Sequence, residues 1–410
     1  MNHELEVSIL KELMEQLDEG KNIDAGVQYK MPTTGYVCPQ IAAKERELFF
    51  QNHTQLLGLS QDLPSPGSYI TNDDFGTPIL ATRDKNGDFR AFLNACRHRG
   101  VRVAQENRGR KTLFTCPFHH WGYSNAGDLI NVPDQEHFGV IDKSCNGLIE
   151  LPAVERDGIL WVHPQPDGEL DVDGLLGKTL ADELAAYDLG SLIYAGTKTI
   201  TKDLNWKLAN DTFGETYHFG KLHKDTLGQL NYGNNLHLKE FGPHHRFVTA
   251  SKAIDRLKTQ PESEWDIGVG AGFVLYYLFP NIQLIVNPGT CTLVKIYPDP
   301  ERPGRSTSQI VVYFSQAAMD AQADQDAGKV TPDMIYGANE DRGPSLAATM
   351  EIFNSTIEQE DYLMGEYQQK SAENGLLTEI MFGRNEPALH HFHTTFRDRL
   401  GQPPLEKISA

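Results

Sequence analysis

The sequence predicts an α+β fold with a small antiparallel β domain and a larger domain whose antiparallel sheet is flanked by helices. Three observations support this prediction. Short β-rich segments separated by turn signals fill residues 65–164. A second β-rich set lies between residues 192 and 314, and helical patterns surround it. Finally, a chain of 410 residues is too long for a single core.

Composition narrows the class of protein. Hydrophobic residues make up 39% of the chain and charged residues 23%, which is ordinary for a soluble globular protein. A net charge of −19 argues against nucleic acid or an anionic membrane surface as a partner. Five cysteines fit a reducing compartment better than a disulfide framework. The N-terminus lacks the features of a signal peptide, and no apolar run reaches the roughly 20 residues that span a bilayer. We therefore expect a cytoplasmic protein.

Residues 1–43 are predicted to form an N-terminal helix and a connector. Residues 3–18 place six apolar side chains on one helical stripe, which predicts a packing helix. Residues 21–43 contain Pro32, Gly35 and Pro39, so we expect them to be extended.

The small β domain is expected over residues 44–165. A short helix is predicted over 43–52, and Lys85-Asn86-Gly87-Asp88 is a hairpin turn signal. The strands are predicted at Ser68–Thr71, Pro78–Arg83, Phe89–Asn94, Leu113–Cys116, Asp128–Val132, Leu148–Glu155 and Ile159–Val162.

The larger domain is expected over residues 166–410, after a linker rich in Pro, Gly and Asp. Helical patterns cover Leu175–Tyr187, Ala317–Lys329 (with a terminal surface loop), Ser345–Gln369 and Glu386–Leu400. Strands are predicted at Leu192–Lys202, Phe273–Phe279, Ile282–Asn287, Thr292–Ile296 and Gln309–Phe314.

Two mixed pairs of metal-binding residues lie in the small domain. Cys96 and His98 form a Cys-x-His pair, and Cys116 and His119 form a Cys-x-x-His pair. Two thiolates on one iron and two imidazoles on the other are the ligands of a Rieske [2Fe–2S] cluster, which relays electrons. A Cys2His2 zinc site uses similar ligands, but its pairs are usually Cys-Cys and His-His with the histidines on a helix. Here Pro117 disfavours a helix beside the second pair.

A second constellation lies in the stretch Asn205–His223. Glu215 and His218 are three residues apart, so we expect them to share one face of a helix that ends at Gly220. The chain can then turn and bring His223 back towards His218. Two histidines with one carboxylate form the facial triad that binds Fe(II) and leaves positions open for O2. Together the two constellations indicate an enzyme that delivers electrons to an oxygen-activating iron.

With these motifs, the sequence resembles the α subunits of Rieske non-haem iron oxygenases, the aromatic-ring-hydroxylating dioxygenase family. The resemblance covers most of the chain. It is carried by the blocks Leu63–Gly67, Ala91–Gly100, Cys116–His119 with Trp121, Asn205–Lys207 and Glu215-x-x-His218-x4-His223.

The resemblance implies a small Rieske domain and a catalytic domain of the helix-grip type. It implies that Cys96, His98, Cys116 and His119 bind the cluster and that His218 and His223 bind one Fe(II). An NAD(P)H-dependent reductase, with or without a ferredoxin, would supply the electrons, and O2 would be a co-substrate. The subunits would form a head-to-tail homotrimer, or a multiple of it, in which electrons cross between subunits.

Three positions depart from the family pattern. His120 stands where relatives often have Gly, and we expect it to be a surface group rather than a ligand. Glu215 stands where relatives often have the Asp that bridges an iron-binding His and a cluster His of the neighbouring subunit, here His119. Asp211, which we predict to be a catalytic residue together with Glu215, stands where relatives often have Asn near the iron.

The third iron ligand is predicted in the acidic segment Gln359–Asp361. The resemblance favours Asp361, which shares a helical face with Ile357, Met364 and Gln368, over Glu360. Glu358 and Glu360 are expected to be solvated. His244 and His245 are expected in a polar loop, and His390, His391 and His393 on a terminal helix, all with surface or packing roles.

These observations predict an oxygenase component that inserts oxygen into an aromatic or other hydrophobic small molecule. Oxidative N- or O-demethylation and hydroxylation of a quaternary amine are alternatives within the same family. Outside it, the alternatives are a Rieske protein that only transfers electrons and a zinc-stapled scaffold.

Overall fold

The computed structural model describes residues 1–327 and 345–408, which form two compact units. The small unit is Lys44–Ser191, and the large unit combines Met1–Ala43 with the chain from Leu192 onward. All named strand pairs in both units are antiparallel, so the predicted α+β class is confirmed. Residues 328 and 329 of the predicted segment Ala317–Lys329 lie outside the described residues.

The small unit contains three antiparallel sheets. The first has five strands in the order Glu150–Leu151, Phe89–Leu93, Ile79–Arg83, Ser68–Asn72 and Arg108–Arg110. The second has the order Ala153–Arg156, Ile159–Val162 and Gln55–Leu59, and the third Leu113–Thr115, Gly122–Ser124 and Leu129–Asn131. The predicted turn at residues 85–88 is present, with Gly87 at a φ of 90° that glycine adopts without strain.

The helical segments of the small unit are short, apart from Val172–Ala185. The others are Arg46–Gln51, Ser60–Asp62, Gln135–Phe138, Lys143–Cys145 and Leu189–Ser191, and helix Pro39–Glu45 spans its N-terminal boundary. We predicted that the small domain ends at residue 165, whereas the small unit extends to Ser191. Two contacts hold the added residues, since Arg156 pairs with Asp173 and Gln61 donates to the carbonyl of Gly190 at 3.2 Å.

A seven-stranded antiparallel sheet is the centre of the large unit. Its strand order is Ile193–Lys202, Ser306–Phe314, Thr290–Pro298, Ile282–Asn287, Ala271–Leu278, His244–Ala250 and His237–Phe241. The five predicted strands are confirmed within a few residues. The expectation that His244 and His245 lie in a polar loop is wrong, because both begin a strand that is buried along its whole length.

Residues 21–43 are more ordered than the expected connector. Strand Gln28–Pro32 lies between Glu379–Phe382 and Glu406–Ile408 in a three-stranded sheet. The partners of this strand are more than 340 residues away, so local sequence carries no sign of the pairing. This sheet ties residues 1–43 to the C-terminal part of the chain.

Helices cover the rest of the large unit. The predicted first helix, His3–Glu19, is confirmed and buries Ile9, Leu10 and Leu13 completely; each such side chain contributes about 1.5–3 kcal/mol of transfer free energy. The others are Thr34–Val37, Trp206–Asp211, Leu227–Leu230, Ile254–Leu257, Glu262–Glu264, Ile267–Gly270, Gln316–Asp326, Leu346–Thr356, Ile357–Asp361, Tyr362–Glu373 and Pro387–Arg399. Across residues 1–327 and 345–408, every helix is too short or too polar to span a lipid bilayer.

Two candidate metal centres

The first candidate centre is formed by two tight turns of the small unit. In one turn the amide of Cys96 donates to the carbonyl of Val101 at 2.8 Å, and in the other the amide of Cys116 donates to Trp121 at 2.8 Å. Each turn therefore closes around one predicted pair of ligands, Cys96 with His98 and Cys116 with His119.

The four predicted cluster ligands lie together. Cys96 and Cys116 are buried free thiols that interact with each other, and the rings of His98 and His119 have centroids 4.5 Å apart. The Nδ1 atom of His98 is buried and bonds no group within the described residues. Two thiols, two imidazoles and an unpaired buried ring nitrogen fit a [2Fe–2S] cluster with mixed ligands.

Tyr123 holds one of the thiols. Its hydroxyl oxygen accepts from the amide of Arg97 at 3.0 Å and lies 3.3 Å from Cys96 Sγ. Because the oxygen accepts from Arg97, its proton is available to the sulfur. Burial raises the pKa of the Cys96 thiol, and this hydrogen bond acts in the opposite direction.

His119 and His120 differ in their surroundings. Both side chains are exposed, but His119 faces the ring of His98, whereas His120 has a left-handed φ of 59°. A left-handed conformation is unfavourable for any residue with a Cβ atom. Glycine, which the family pattern leads us to expect at this position, adopts this backbone without strain.

The second candidate centre begins where helix Trp206–Asp211 ends. The prediction that one helix carries Glu215 and His218 is wrong, since residues 212–226 form successive turns. Glu215 competes with helical hydrogen bonding, because its Oε2 accepts from the amides of Tyr217 and His218. A Cβ atom at Gly214 would also collide with Leu389 Cδ2, so any other residue there would force the Leu389 side chain of helix Pro387–Arg399 to move.

Three donor atoms converge at this second centre. The Nε2 atoms of His218 and His223 are 3.1 Å apart, and Asp361 Oδ1 lies 3.4 Å and 3.1 Å from them. All the donor atoms lie within 4.8 Å of one another. Two imidazoles and one carboxylate in this arrangement fit a mononuclear iron site with open positions.

Two further carboxylates hold the imidazole rings. Glu215 accepts from Nδ1 of His218, and Glu360 Oε2 accepts from Nδ1 of His223 at 2.7 Å and from the hydroxyl of Thr226 at 3.1 Å. With the proton on Nδ1, the Nε2 lone pair of each ring is left for a metal. The expectation that Glu360 is solvated is wrong.

A change in helix geometry explains how Glu360 and Asp361 both reach the histidines. Residues Ile357–Asp361 form a π-helical segment between helices Leu346–Thr356 and Tyr362–Glu373. The α-helical spacing from which we grouped Asp361 with Ile357 and Met364 does not hold across such a segment. The only sign of this arrangement in the sequence is that two acidic residues, Glu360 and Asp361, are adjacent.

The electrostatics of the second centre favour a cation. Burial opposes the charged form of His218, but Asp361 and Glu215 outweigh it and raise the pKa to about 10. Burial also opposes the charged form of Asp361, yet the two histidines lower its pKa. Three carboxylates around two imidazoles leave excess negative charge that a divalent metal would neutralise.

Asp211 lies outside the group of three metal donors. It accepts from the hydroxyl of Tyr36 at 2.7 Å and from Nε2 of His393 at 2.8 Å. Burial and the adjacent carboxylate raise the pKa of Tyr36 far above its usual value. Asp211 thus anchors the end of helix Trp206–Asp211 to two other segments of the large unit.

The other histidines singled out in the sequence make hydrogen bonds and ring contacts within the large unit. His244 Nδ1 accepts from the amide of Phe279 at 2.9 Å, and His245 shares a hydrogen bond of 2.9 Å with His391. His390 and His393 are buried beside Phe382.

A cavity of about 40 Å³ adjoins the three metal donors. Most of its other lining residues are apolar: Phe213, Phe219, Leu227, Phe247, Phe273, Leu275, Ile285, Phe353 and Ile357. Thr212, Thr356 and Glu215 complete the lining. The apolar lining with few polar groups has the chemistry of a site for a hydrophobic molecule, but the volume is below the roughly 300–1,000 Å³ of a typical ligand pocket, so the lining side chains must move apart to admit an aromatic ring.

Two family models match the chain. The model described as the ring hydroxylating alpha subunit (catalytic domain) matches residues 189–402, and the Rieske [2Fe-2S] domain matches residues 53–150. The first match includes every donor of the second centre, and the second includes the four predicted cluster ligands.

Curated relatives carry out two kinds of oxidation. The chain is 30% identical over 204 residues to the glycine betaine monooxygenase oxygenase subunit of Chromohalobacter salexigens, covering 49% of this chain and 45% of the relative. It is 34% identical over 182 residues to the chlorobenzene dioxygenase subunit alpha of Cupriavidus sp. (strain PS12), covering 42% and 40%. Each match therefore spans less than half of the relative's own length.

A solved structure shares the fold over nearly the whole chain. The quaternary ammonium Rieske monooxygenase CntA in complex with L-carnitine superposes with a TM-score of 0.72 and 19% sequence identity. The superposition covers 92% of this chain and 97% of that chain.

Proposed function

Because this chain belongs to the family of Rieske non-haem iron oxygenase α subunits, we propose that it is the oxygenase component of such a system. One observation carries the proposal, the convergence of His218, His223 and Asp361 beside an apolar cavity. In this proposal Cys96, His98, Cys116 and His119 hold the cluster, and the three converging residues hold Fe(II).

When bound, the cluster would supply single electrons and the iron would activate O2. The chain's own residues orient and protect these groups. Glu215 and Glu360 keep the Nδ1 protons of the two histidines in place, so that both Nε2 atoms face the metal position. The apolar cavity lies directly beside this position.

We propose that Glu215 also links the two kinds of centre, by joining His218 to His119 of a neighbouring subunit. Two observations support this role. Glu215 already accepts from Nδ1 of His218, and His119 is exposed on its own unit. A Glu215→Gln protein should keep its iron and its cluster but lose electron transfer between them, as measured by rapid-mixing absorption spectroscopy. Full coupled turnover by that variant would refute this role.

The apolar lining favours an aromatic or similarly hydrophobic substrate and hydroxylation of its ring. The specific observation is that none of the described lining residues is Lys or Arg, either of which could bind the carboxylate of a betaine. A second candidate is oxidation of a quaternary amine. The relative named for glycine betaine supports it, and phenylalanine rings at the cavity can contact a cation. Oxidative demethylation is a third candidate, and the experiment described next distinguishes all three.

A single-turnover experiment tests the proposed activity without the natural redox partner. Iron-loaded protein is reduced with dithionite, freed of excess reductant and mixed with O2 and a panel containing chlorobenzene, naphthalene, anisole, glycine betaine and carnitine. We expect hydroxylated product from an aromatic member. If a protein with both metal centres reduces its cluster and converts none of them, the electron-transfer alternative is favoured and the proposal fails.

We further propose that the physiological electrons come from an NAD(P)H-dependent reductase, with or without a ferredoxin, and that the chain assembles as a homotrimer or a multiple of it. The proposed link between Glu215 and the neighbouring His119 requires such an assembly. Light scattering after gel filtration measures it, and a fully active monomer would contradict it.

A further inference from the structure

The cavity beside the second centre has two threonine hydroxyls in its lining, those of Thr212 and Thr356. They differ in their hydrogen bonds. Thr212 donates to the carbonyl of Ala209 at 2.9 Å. Thr356 is only 2% exposed, and its Oγ1 atom bonds no group among the residues that the structure describes.

Thr356 is the last residue of helix Leu346–Thr356. A threonine in a helix normally donates to the carbonyl four residues earlier, which here belongs to Ile352. That carbonyl instead accepts from the hydroxyl of Ser355 at 3.1 Å. Thr356 also stands directly before the π-helical segment Ile357–Asp361, where the regular helical pattern changes.

A buried hydroxyl without a partner destabilises the fold, because it has lost its hydrogen bonds to water and formed none within the protein. A polar group on a bound molecule could restore that hydrogen bond. Thr356 and Asp361 both line the cavity, so a molecule held by Thr356 lies beside the metal donors. The other lining groups of the cavity are apolar or already bonded to the metal-site histidines or to Ala209.

We propose that Thr356 is a specificity-determining residue that selects aromatic substrates with a hydrogen-bonding ring substituent, such as a hydroxyl group. The substituent bonds to Thr356 Oγ1, and the apolar remainder of the ring occupies the phenylalanine-rich part of the cavity. This inference rests on the proposed function, because it assumes that the cavity binds the substrate.

Binding of matched ligands tests the inference without turnover. The iron-loaded protein is kept free of O2, and its dissociation constants for ortho-, meta- and para-cresol and for the corresponding xylenes are measured by calorimetry. Each pair has nearly the same shape and differs by a hydroxyl in place of a methyl group. We expect at least one cresol to bind about fivefold more tightly than its xylene, which corresponds to one neutral hydrogen bond.

Two nearly isosteric variants provide the comparison. In Thr356→Val the preference for the cresol should disappear, whereas in Thr212→Val it should remain, because the Thr212 hydroxyl is already bonded to Ala209. Thr356→Ser should retain it. If all cresol-to-xylene ratios in Thr356→Val stay within about twofold of the wild type, the inference is overturned.

Thermal unfolding of the ligand-free variants supplies a second, independent test. Thr356→Val removes an unsatisfied buried hydroxyl and should raise the unfolding midpoint, while Thr212→Val removes a formed hydrogen bond and should lower it. A lower midpoint for Thr356→Val would mean that the Thr356 hydroxyl already has a partner, and it would overturn the inference.

If neither xylenes nor cresols bind to the wild type or to any variant, the aromatic-substrate proposal itself fails and the inference fails with it. If xylenes bind but Thr356→Val changes no ratio, only the inference fails.

Discussion

Replacing Glu360 by glutamine should weaken iron binding while leaving the fold intact. The Glu360 carboxylate accepts from Nδ1 of His223 at 2.7 Å and from Thr226 at 3.1 Å, and the His223 side chain is only 1% exposed. Glutamine keeps the shape and an acceptor oxygen but removes the negative charge that makes the imidazole a stronger donor to the metal.

The size of the effect follows from these contacts. A hydrogen bond to a charged group contributes about 1.5–3 kcal/mol, compared with about 1 kcal/mol for a neutral one. The difference of about 0.5–2 kcal/mol corresponds to a two- to thirtyfold weaker affinity for Fe(II). This range overlaps the 10- to 100-fold losses typical of residues that orient metal ligands.

The assay is competition for Fe(II) with a chromophoric chelator in the absence of O2. The matched control is Glu358→Gln, which removes the same charge from the same π-helical segment. Glu358 pairs with Lys198 at 3.4 Å and not with a histidine of the centre. If Glu360→Gln binds iron within about twofold of Glu358→Gln, the assigned role of Glu360 is wrong.

Three further predictions concern other parts of the chain. His120→Gly should stabilise the small unit by about 1 kcal/mol in urea unfolding, because glycine relieves the left-handed φ of 59°. Tyr123→Phe should lower the cluster potential in a redox titration by about 40 mV, if its bond to Cys96 is about 1 kcal/mol stronger in the reduced state. In His237→Gln the free energy of unfolding should fall less steeply than in the wild type as the pH is lowered from 6.5 to 4. Burial and Arg246 lower the pKa of His237 to about 4, so the unfolded state binds a proton that the folded state does not, and stability falls by up to about 1.4 kcal/mol per pH unit.

Matched changes control these three predictions. His137 is exposed in a helix, so His137→Gly should destabilise, and equal effects at residues 120 and 137 would contradict the first. Tyr69 bonds to Glu106 in the same unit, so Tyr69→Phe should leave the potential unchanged, and an unchanged potential in Tyr123→Phe would contradict the second. An unaltered pH slope in His237→Gln would contradict the third.

The fold class was predictable because the deciding signals are local. The turn at residues 85–88 and the β-rich run Ile282–Asn287 depend only on neighbouring residues, and both are confirmed. Strand Gln28–Pro32 was missed because its partners are distant in sequence. The strand that begins at His244 was missed because two histidines and an arginine indicate a polar loop, whereas the chain buries all three.

The candidate site was predictable in its residue types and less so in its local geometry. The spacing of His218 and His223 correctly indicated that the two rings could meet, but through turns rather than along a helix. The contact of Glu360 with His223 depends on a π-helical segment, whose extra residue per turn has no signature in composition or periodicity. The left-handed backbone at His120 is likewise a property of the turn and not of the residue.

The central claim is that one chain carries both a Rieske cluster and a separate mononuclear iron. The most direct test is the content of iron and acid-labile sulfide in the wild type and in Asp361→Ala, together with electron paramagnetic resonance of the reduced proteins. We predict about three iron atoms and two sulfides per wild-type chain, and about two of each in Asp361→Ala with an unchanged cluster signal. Bound zinc in place of the cluster, or an Asp361→Ala protein that keeps the third iron, would contradict the claim.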